Sequence, residues 1–402
     1  MGVYQVMVSE YETTPKERNM PNPAQLSMPA RNKWAGKHPF SKVKRSRKSL
    51  KSLCAAAILF LLLQLVPGWI IHPSTVYHYR INYQLFLNDP DSINVVLDNM
   101  KKRIKQDKLD RYILLIGNSV AWGTNETSDH SLGRYLNDEF AHDGEVVFNL
   151  SLPSIQPGDA YTLLLMMRNK GIRTDNVMLG VTYSAFTKSV YGSKPVFWLM
   201  DDLRRVDKQA YRDLLPQMRT SGYNGSAGIM PLNKWLDERV SDGVHAIPIV
   251  KDKEILKAEW ARHKDKSDLL GDPRPWYEKG NVEQKRENPQ YKSFFNPEPF
   301  DLSVHNWAVY FMERIYKLQE GKRTLVFVAG GNGEMSKPEV TNPGYVANLQ
   351  ALDRYFAAKP GLYFDLQDRI APGQFTDHVH LTNDGNRQLA HLLYASWTGK
   401  GA

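Results

Sequence analysis

A serine at the end of an apolar run, and a histidine with an aspartate three positions before it, are residue types from which a nucleophilic site can be built. Ser119 follows Gly117-Asn118 directly after the run Tyr-Ile-Leu-Leu-Ile at 112–116. A serine on a tight strand-to-helix turn projects its hydroxyl into the cleft at the sheet rim. The same position is also a common helix cap, so the tripeptide alone leaves both roles open. The far end of the chain narrows the choice: Phe375-Thr376-Asp377-His378-Val379-His380-Leu381 precedes a final helical stretch. An aspartate three residues before a histidine can turn back to hold the ring, fixing its tautomer and stabilising the imidazolium while the free nitrogen takes a serine proton. The expected roles are Ser119 as nucleophile, His380 as base and Asp377 as orienting acid.

Two further motifs compete for attention. His378-x-His380 has metal-pair spacing but no third ligand in reach of the pattern, so no metal and no cofactor is expected. Gly330-Gly331-Asn332-Gly333 resembles a phosphate-binding turn but lacks the Lys-Ser/Thr that follows one. It reads as a loop bordering the site, with Asn332 a candidate substrate contact.

The elements that must position these residues follow an alternating pattern. Apolar runs at 112–116, 146–150, 177–181, 325–328 and 362–364 are separated by helical periodicities, the signature of parallel βαβ units. Five strands of an α/β domain are predicted. Helices are read from Leu132, Leu136 and Phe140, from Tyr161 through Met167, from Val304 to Leu318 with Trp307, Phe311, Ile315 and Leu318 on one face, from Tyr345 to Phe356, and over about 384–397. A further helix behind the capping candidate Asp91 carries Ile93, Val96, Leu97, Met100 and Ile104. In an open parallel sheet, ligands bind beyond the carboxyl ends of the strands, which is where Ser119 and the Asp-x-x-His loop fall. Residues 187–299 are too long for a simple crossover. They are read as an insertion that is either a lid or docking element or a mere decoration, with helices at 198–218 and 251–263 and a loop over 272–299.

Gly117-Asn118-Ser119 resembles the first block of SGNH (GDSL-like) hydrolases, with Asn118 where the usual block has Asp. Asp377-His378-Val379-His380-Leu381 resembles the last block, Asp-x-x-His-Leu. The resemblance covers residues 108–398 apart from the insertion and implies a three-layer α/β/α, flavodoxin-like domain with serine hydrolase or acyltransferase activity. It also implies oxyanion donors. In the family's second-block place this chain has Ser151, whose backbone N–H is the expected donor. In the third, where an Asn side chain is usual, it has Leu179-Gly180-Val181-Thr182-Tyr183-Ser184, so Tyr183 or Ser184 is the expected substitute, with Asn118 beside the nucleophile. Losing one such donor costs ~10²- to 10³-fold in rate.

The chain has 402 residues and a formal charge of +9, which invites a nucleic-acid reading. Residues 1–52, however, hold eleven Lys/Arg against three acids, so almost all of the excess lies there. The remainder is close to neutral, and no nucleic-acid partner is expected. The single cysteine, Cys54, allows no intramolecular disulfide. After the basic cluster, residues 53–71 carry no charge and suffice to cross a bilayer. The expected organisation is a basic, disordered cytoplasmic tail over 1–52, a membrane span over 53–71, a linker and helix over 72–107, and the large domain over 108–398. The charge asymmetry predicts a cytoplasmic N-terminus and an extracytoplasmic domain. One span and an SGNH-like domain together resemble the D-alanyl transfer protein family of the Dlt system. That likeness implies an acylated envelope glycopolymer or acyl donor as substrate and a membrane-bound O-acyltransferase (MBOAT) as partner.

Overall fold

Strands buried on both faces read as unbroken apolar runs, and Tyr112–Ile116 is buried at all five positions. The computed structural model describes residues 47–64, 70–187, 194–223, 252–262, 268–280 and 282–400. Strands β1 (Tyr112–Ile116), β2 (Val146–Asn149), β3 (Asn176–Thr182), β4 (Arg323–Ala329) and β5 (Leu362–Asp365) form one parallel sheet in the order β2-β1-β3-β4-β5. The chain leaves β1 toward β2 and then returns to β3 on the other side. The strand order therefore reverses at β1, which opens a crevice beyond its carboxyl end.

Alternate residues of β1 serve the two faces. Ile113 and Leu115 pack with Leu132, Leu136, Leu389 and Leu393, from helices Leu132–Phe140 and Asn383–Thr398. Leu114 and Ile116 pack with Leu163, Phe311 and Leu352, from helices Pro157–Asn169, Trp307–Leu318 and Pro343–Ala357. Each such side chain fully withdrawn from water contributes about 1.5–3 kcal/mol, and the result is the three-layer α/β/α sandwich.

Several boundaries differ from the sequence reading. Asp91 makes no side-chain cap to the helix Ser92–Gln106. Helix Trp307–Leu318 is started by Asn306, whose side chain accepts from Ala308 N at 2.9 Å. The expected helix over 198–218 is two, Met200–Val206 and Lys208–Thr220. The break is at Asp207, whose carboxylate caps the second by accepting from Gln209 and Ala210 N, both at 3.0 Å. The helix expected over 251–263 is Lys253–Arg262. The expected loop over 272–299 holds three short helical segments, Trp276–Glu278, Val282–Glu287 and Pro289–Phe294.

The start of the insertion is fastened by one buried carboxylate. Asp159 accepts from Gln156, Phe197, Trp198 and Leu199 N at 2.8–2.9 Å. Burial pushes its pKa up to about 6, against the pull of these four N–H donors.

Near the N-terminus, helix Arg47–Leu63 places basic residues in its first turns and an apolar run after them. The side chains of Ile58, Leu59, Phe60, Leu61 and Leu62 are all exposed. Among the described residues no helix is long and apolar enough to cross a membrane. Residues 1–46 and 65–69 lie outside the described residues, so the expected tail falls there almost wholly and the expected span in part.

Candidate active site

The turn after β1 is tight because its first residue has no side chain. A Cβ on Gly117 would lie 2.7 Å from Ala121 Cβ and 3.1 Å from Gly180 O, so only glycine lets the chain pass this close to β3. Asn118 then caps the helical turn Ser119–Trp122, its Oδ1 accepting from Val120 N at 2.9 Å. This settles the choice the tripeptide left open: Asn118 is the cap, and the Ser119 hydroxyl is released from that duty. Asn149, at the end of β2, donates from Nδ2 to Ala121 O at 2.8 Å, and Trp122 Nε1 donates to Ile81 O at 2.9 Å. The turn bearing Ser119 is thereby held from two sides.

The histidine loop closes on itself between Phe375 and Leu381, with Thr376 N donating to His380 O at 2.8 Å. Inside it, Asp377 Oδ1 accepts from Val379 N at 2.9 Å and His380 N at 2.8 Å. Asp377 Oδ2 meets His380 Nδ1 at 2.7 Å, and His380 Nε2 meets Ser119 Oγ at 2.8 Å. Burial alone would raise the Asp377 pKa. The imidazoles of His380 and His378 and the backbone donors overcome it and hold the carboxyl well below its usual range. An ionised carboxylate only accepts, so Nδ1 carries a proton and Nε2 is the ring nitrogen that faces Ser119 Oγ. The structure thus brings together the three residues that the sequence proposed as nucleophile, base and orienting acid.

The other predicted site residues are placed differently. The Ser151 N–H donates to Asn149 Oδ1 at 3.0 Å, so this expected oxyanion donor is already occupied. The Ser151 hydroxyl is buried without a hydrogen-bond partner among the described residues. Tyr183 is packed into the core against Tyr345 and Phe300, with ring centroids 4.4 and 4.7 Å away. Its hydroxyl donates to Asn296 O at 2.6 Å and accepts from Asn348 Nδ2 at 2.8 Å. Burial pushes its pKa up to about 12, and it has no donor left for a ligand. Ser184 donates to Thr182 Oγ1 at 3.1 Å. Asn332 is fully buried and is a brace for the histidine loop. Its N–H donates to His378 O at 2.9 Å, and its amide donates to Asp377 O at 3.3 Å. Its Oδ1 accepts from Glu334 and Met335 N, both at 3.1 Å, which leaves no side-chain acceptor for substrate. Asn118 likewise commits its Oδ1 to the cap. Two candidate donors remain beside the nucleophile: the Asn118 Nδ2, which the cap does not engage, and the Ser119 N–H, at the first position of a helical turn, where no intrahelical partner exists.

Sequence reasoning missed what the insertion contributes. Trp276 donates its N–H to Phe375 O and its indole N–H to Pro372 O, both at 2.9 Å. Lys279 is half-buried, which pushes its pKa down, and it interacts with the Asp377 charge. His378 lies edge-on among Tyr291, Phe294 and Phe295, with centroids 5.1, 5.1 and 5.9 Å away. Burial pushes its pKa down to about 4, although its Nδ1 is 3.8 Å from Asp377 Oδ1. A histidine kept neutral by the fold contributes stability that is fully present above 6.5, its ordinary value, and is lost as pH falls toward about 4. His378→Phe keeps the aromatic contacts and removes this titration. Its urea midpoint is expected to drop less than that of the parent between about pH 7 and pH 4.5. An equal drop in both proteins would show that His378 is not held neutral.

Beyond the triad, a cavity of about 290 Å³ is lined by Gln156, Thr187, Gln217, Asp301, His305 and Trp307 among others. Among the described residues no cluster of three or more His, Cys, Asp and Glu side chains could hold a metal ion.

The chain thus folds as a five-stranded parallel, flavodoxin-like α/β/α sandwich, with a serine after β1 and an Asp-x-x-His loop after β5. Among solved structures, the chain is similar to a proposed acylhydrolase from Bacteroides fragilis, with 9% sequence identity and a TM-score of 0.31. That likeness covers 75% of this chain and 97% of the other. It is also similar to a carbohydrate esterase family 2 enzyme with a carbohydrate binding domain from Corynascus thermopiles (Myceliophthora fergusii), with 10% identity and a TM-score of 0.30. Here the coverage is 72% of this chain and 67% of the other. No protein-family model matches the chain, and no curated protein does.

Proposed function

We propose that the chain is a serine esterase or O-acyltransferase working through an acyl-Ser119 intermediate. The observation that carries this reading is the unbroken relay from Ser119 Oγ to His380 (2.8 Å) and from His380 to Asp377 (2.7 Å). His380 Nε2 takes the Oγ proton as Oγ bonds to the ester carbonyl carbon, and the carbonyl electrons move onto its oxygen. The Ser119 N–H and the Asn118 amide are the donors this reading assigns to that developing charge. Collapse expels the alcohol, which leaves with the proton from His380. A second hydroxyl, from an acceptor or from water, then repeats the sequence in reverse and frees the serine.

The substrate class in this reading is an acyl ester of an envelope polysaccharide or teichoic acid. The domain works outside a membrane to which residues 53–71 tether it, alongside a membrane-bound O-acyltransferase. The basic flank at 42–51 and the exposed apolar side chains from Ile58 to Leu62 support the tether. A second reading is a poorly catalytic SGNH-like scaffold that holds an envelope polymer or an acyltransferase partner. It is favoured by one observation: the Ser151 N–H and the Tyr183 hydroxyl are already engaged, which thins the oxyanion hole.

A fluorophosphonate separates the two. The esterase reading expects one adduct, mapped by peptide mass spectrometry to Ser119; adducts elsewhere, or none where a control esterase reacts, favour the scaffold. For the topology, protease added to intact cells is expected to digest the large domain, and full protection would reverse the orientation.

A further inference from the structure

Asn125 adopts φ 70°, the left-handed region that most non-glycine residues avoid and that Asn and Asp enter more readily than the rest. The surroundings enforce it. Its N–H donates to Leu270 O at 3.1 Å. The carbonyls of Gly123 and Glu126, on either side, accept from the Arg80 guanidinium at 2.6 and 2.7 Å. Arg80 is itself buried, lies 3.6 Å over the Trp122 ring and donates to Asp268 O at 3.2 Å. Gly271 completes the socket: a Cβ there would lie 2.1 Å from Asn125 Oδ1. An unusual backbone conformation braced from two distant segments, Arg80 and the Asp268–Gly271 stretch, is the pattern of a residue whose side chain must be aimed.

Its aim is the acid of the triad. Asn125 Nδ2 donates to Thr376 Oγ1 at 2.7 Å and, more distantly, to Asp377 Oδ2 at 3.4 Å. That oxygen is the one that holds His380 Nδ1. The donors on Oδ1, Val379 N and His380 N, come from the loop of Asp377 itself. Asn125, by contrast, belongs to the segment that follows the nucleophile turn. We propose that Asn125 is a positioning residue that locks the Asp377–His380 loop to the turn bearing Ser119, so that acid, base and nucleophile keep one register. Its catalytic consequence rests on the esterase reading; its effect on the His380–Asp377 bond does not. The charged and titratable groups facing that bond are His378 on the same loop, Lys279 against Asp377, and Lys285 against His378.

Asn125→Gly is the informative variant, because glycine accepts a positive φ without strain and the change removes only the amide. Asn125→Asp, equal in size and tolerant of the same φ, is the companion should the glycine variant fold poorly. In variants melting within a few degrees of the parent, the His380 Nδ1–H proton, followed by NMR, is expected to exchange with water about tenfold faster. On an aryl ester, kcat is expected to fall about tenfold while KM stays within about twofold, the cost of small misplacement at a reacting centre. Unchanged Nδ1–H exchange in both variants overturns the proposal, whatever the parent's rate on esters. A parent inert to esters with faster exchange in the variants counts against the esterase reading alone.

Discussion

Ser119→Ala is expected to abolish fluorophosphonate labelling and to lower kcat on an aryl ester by roughly 10⁵- to 10⁶-fold, the loss typical when a triad nucleophile is removed. The fold gives this variant a clean interpretation. The helical turn is capped by Asn118, and the Ser119 hydroxyl makes its hydrogen bond to His380 Nε2. Deleting that hydroxyl therefore removes no cap, and the melting temperature should move by little. The comparison is parent against variant, read by adduct mass and by ester turnover on the same preparations. Labelling of equal extent in the two would remove Ser119 from the mechanism. A drop of only about tenfold would point to a hydroxyl that binds substrate without bonding to it covalently.

The triad was legible in sequence because each part leaves a local trace. Ser119 ends an apolar run, and the Asp377–His380 spacing is itself the geometry of a carboxylate turning back on a ring. The strands were legible for a similar reason, since burial on both faces writes an unbroken apolar run. β4 begins earlier than its apolar run because Arg323 and Thr324 continue the ladder with Asn176 and Val177 while breaking the pattern. Tyr183 shows the limit. A tyrosine after a strand reads the same whether it points into a cleft or, as here, under Phe300 and Tyr345. Ser151 N–H and Asn332 failed for another reason: their partners, Asn149 Oδ1 and the Asp377–His378 carbonyls, become visible only when the loops are folded. Asn125, Arg80 and Asp268 left no trace because what joins them is contact between segments far apart in the chain. The insertion was hidden likewise, since nothing in the spacing of Trp276 or Phe294 announces that they pack on the histidine loop.

Asp377→Asn is expected to cost about 10⁴-fold in kcat with a near-intact fold. The amide oxygen can still accept from Val379 and His380 N, so the turn has no reason to open. Its NH₂ then occupies the place of Oδ2 and presents a donor to His380 Nδ1 where the ring needs an acceptor. The imidazole answers by moving its proton to Nε2, which leaves a donor facing Ser119 Oγ and no base to take its proton. The Asn125 amide, at 3.4 Å, meets a second donor and aggravates the mismatch. Stability supplies an independent signature. A carboxyl held well below 3.8 in the fold contributes stability that is fully present above its unfolded value and is lost as pH falls toward the folded one. The variant should therefore be less stable than the parent at about pH 7, and the gap should narrow as pH is lowered through the acid range below about 3.9. Urea unfolding at a series of pH values checks this. A gap that stays constant, together with a kcat loss of tenfold or less, would leave Asp377 as a loop staple and place the orienting of His380 elsewhere.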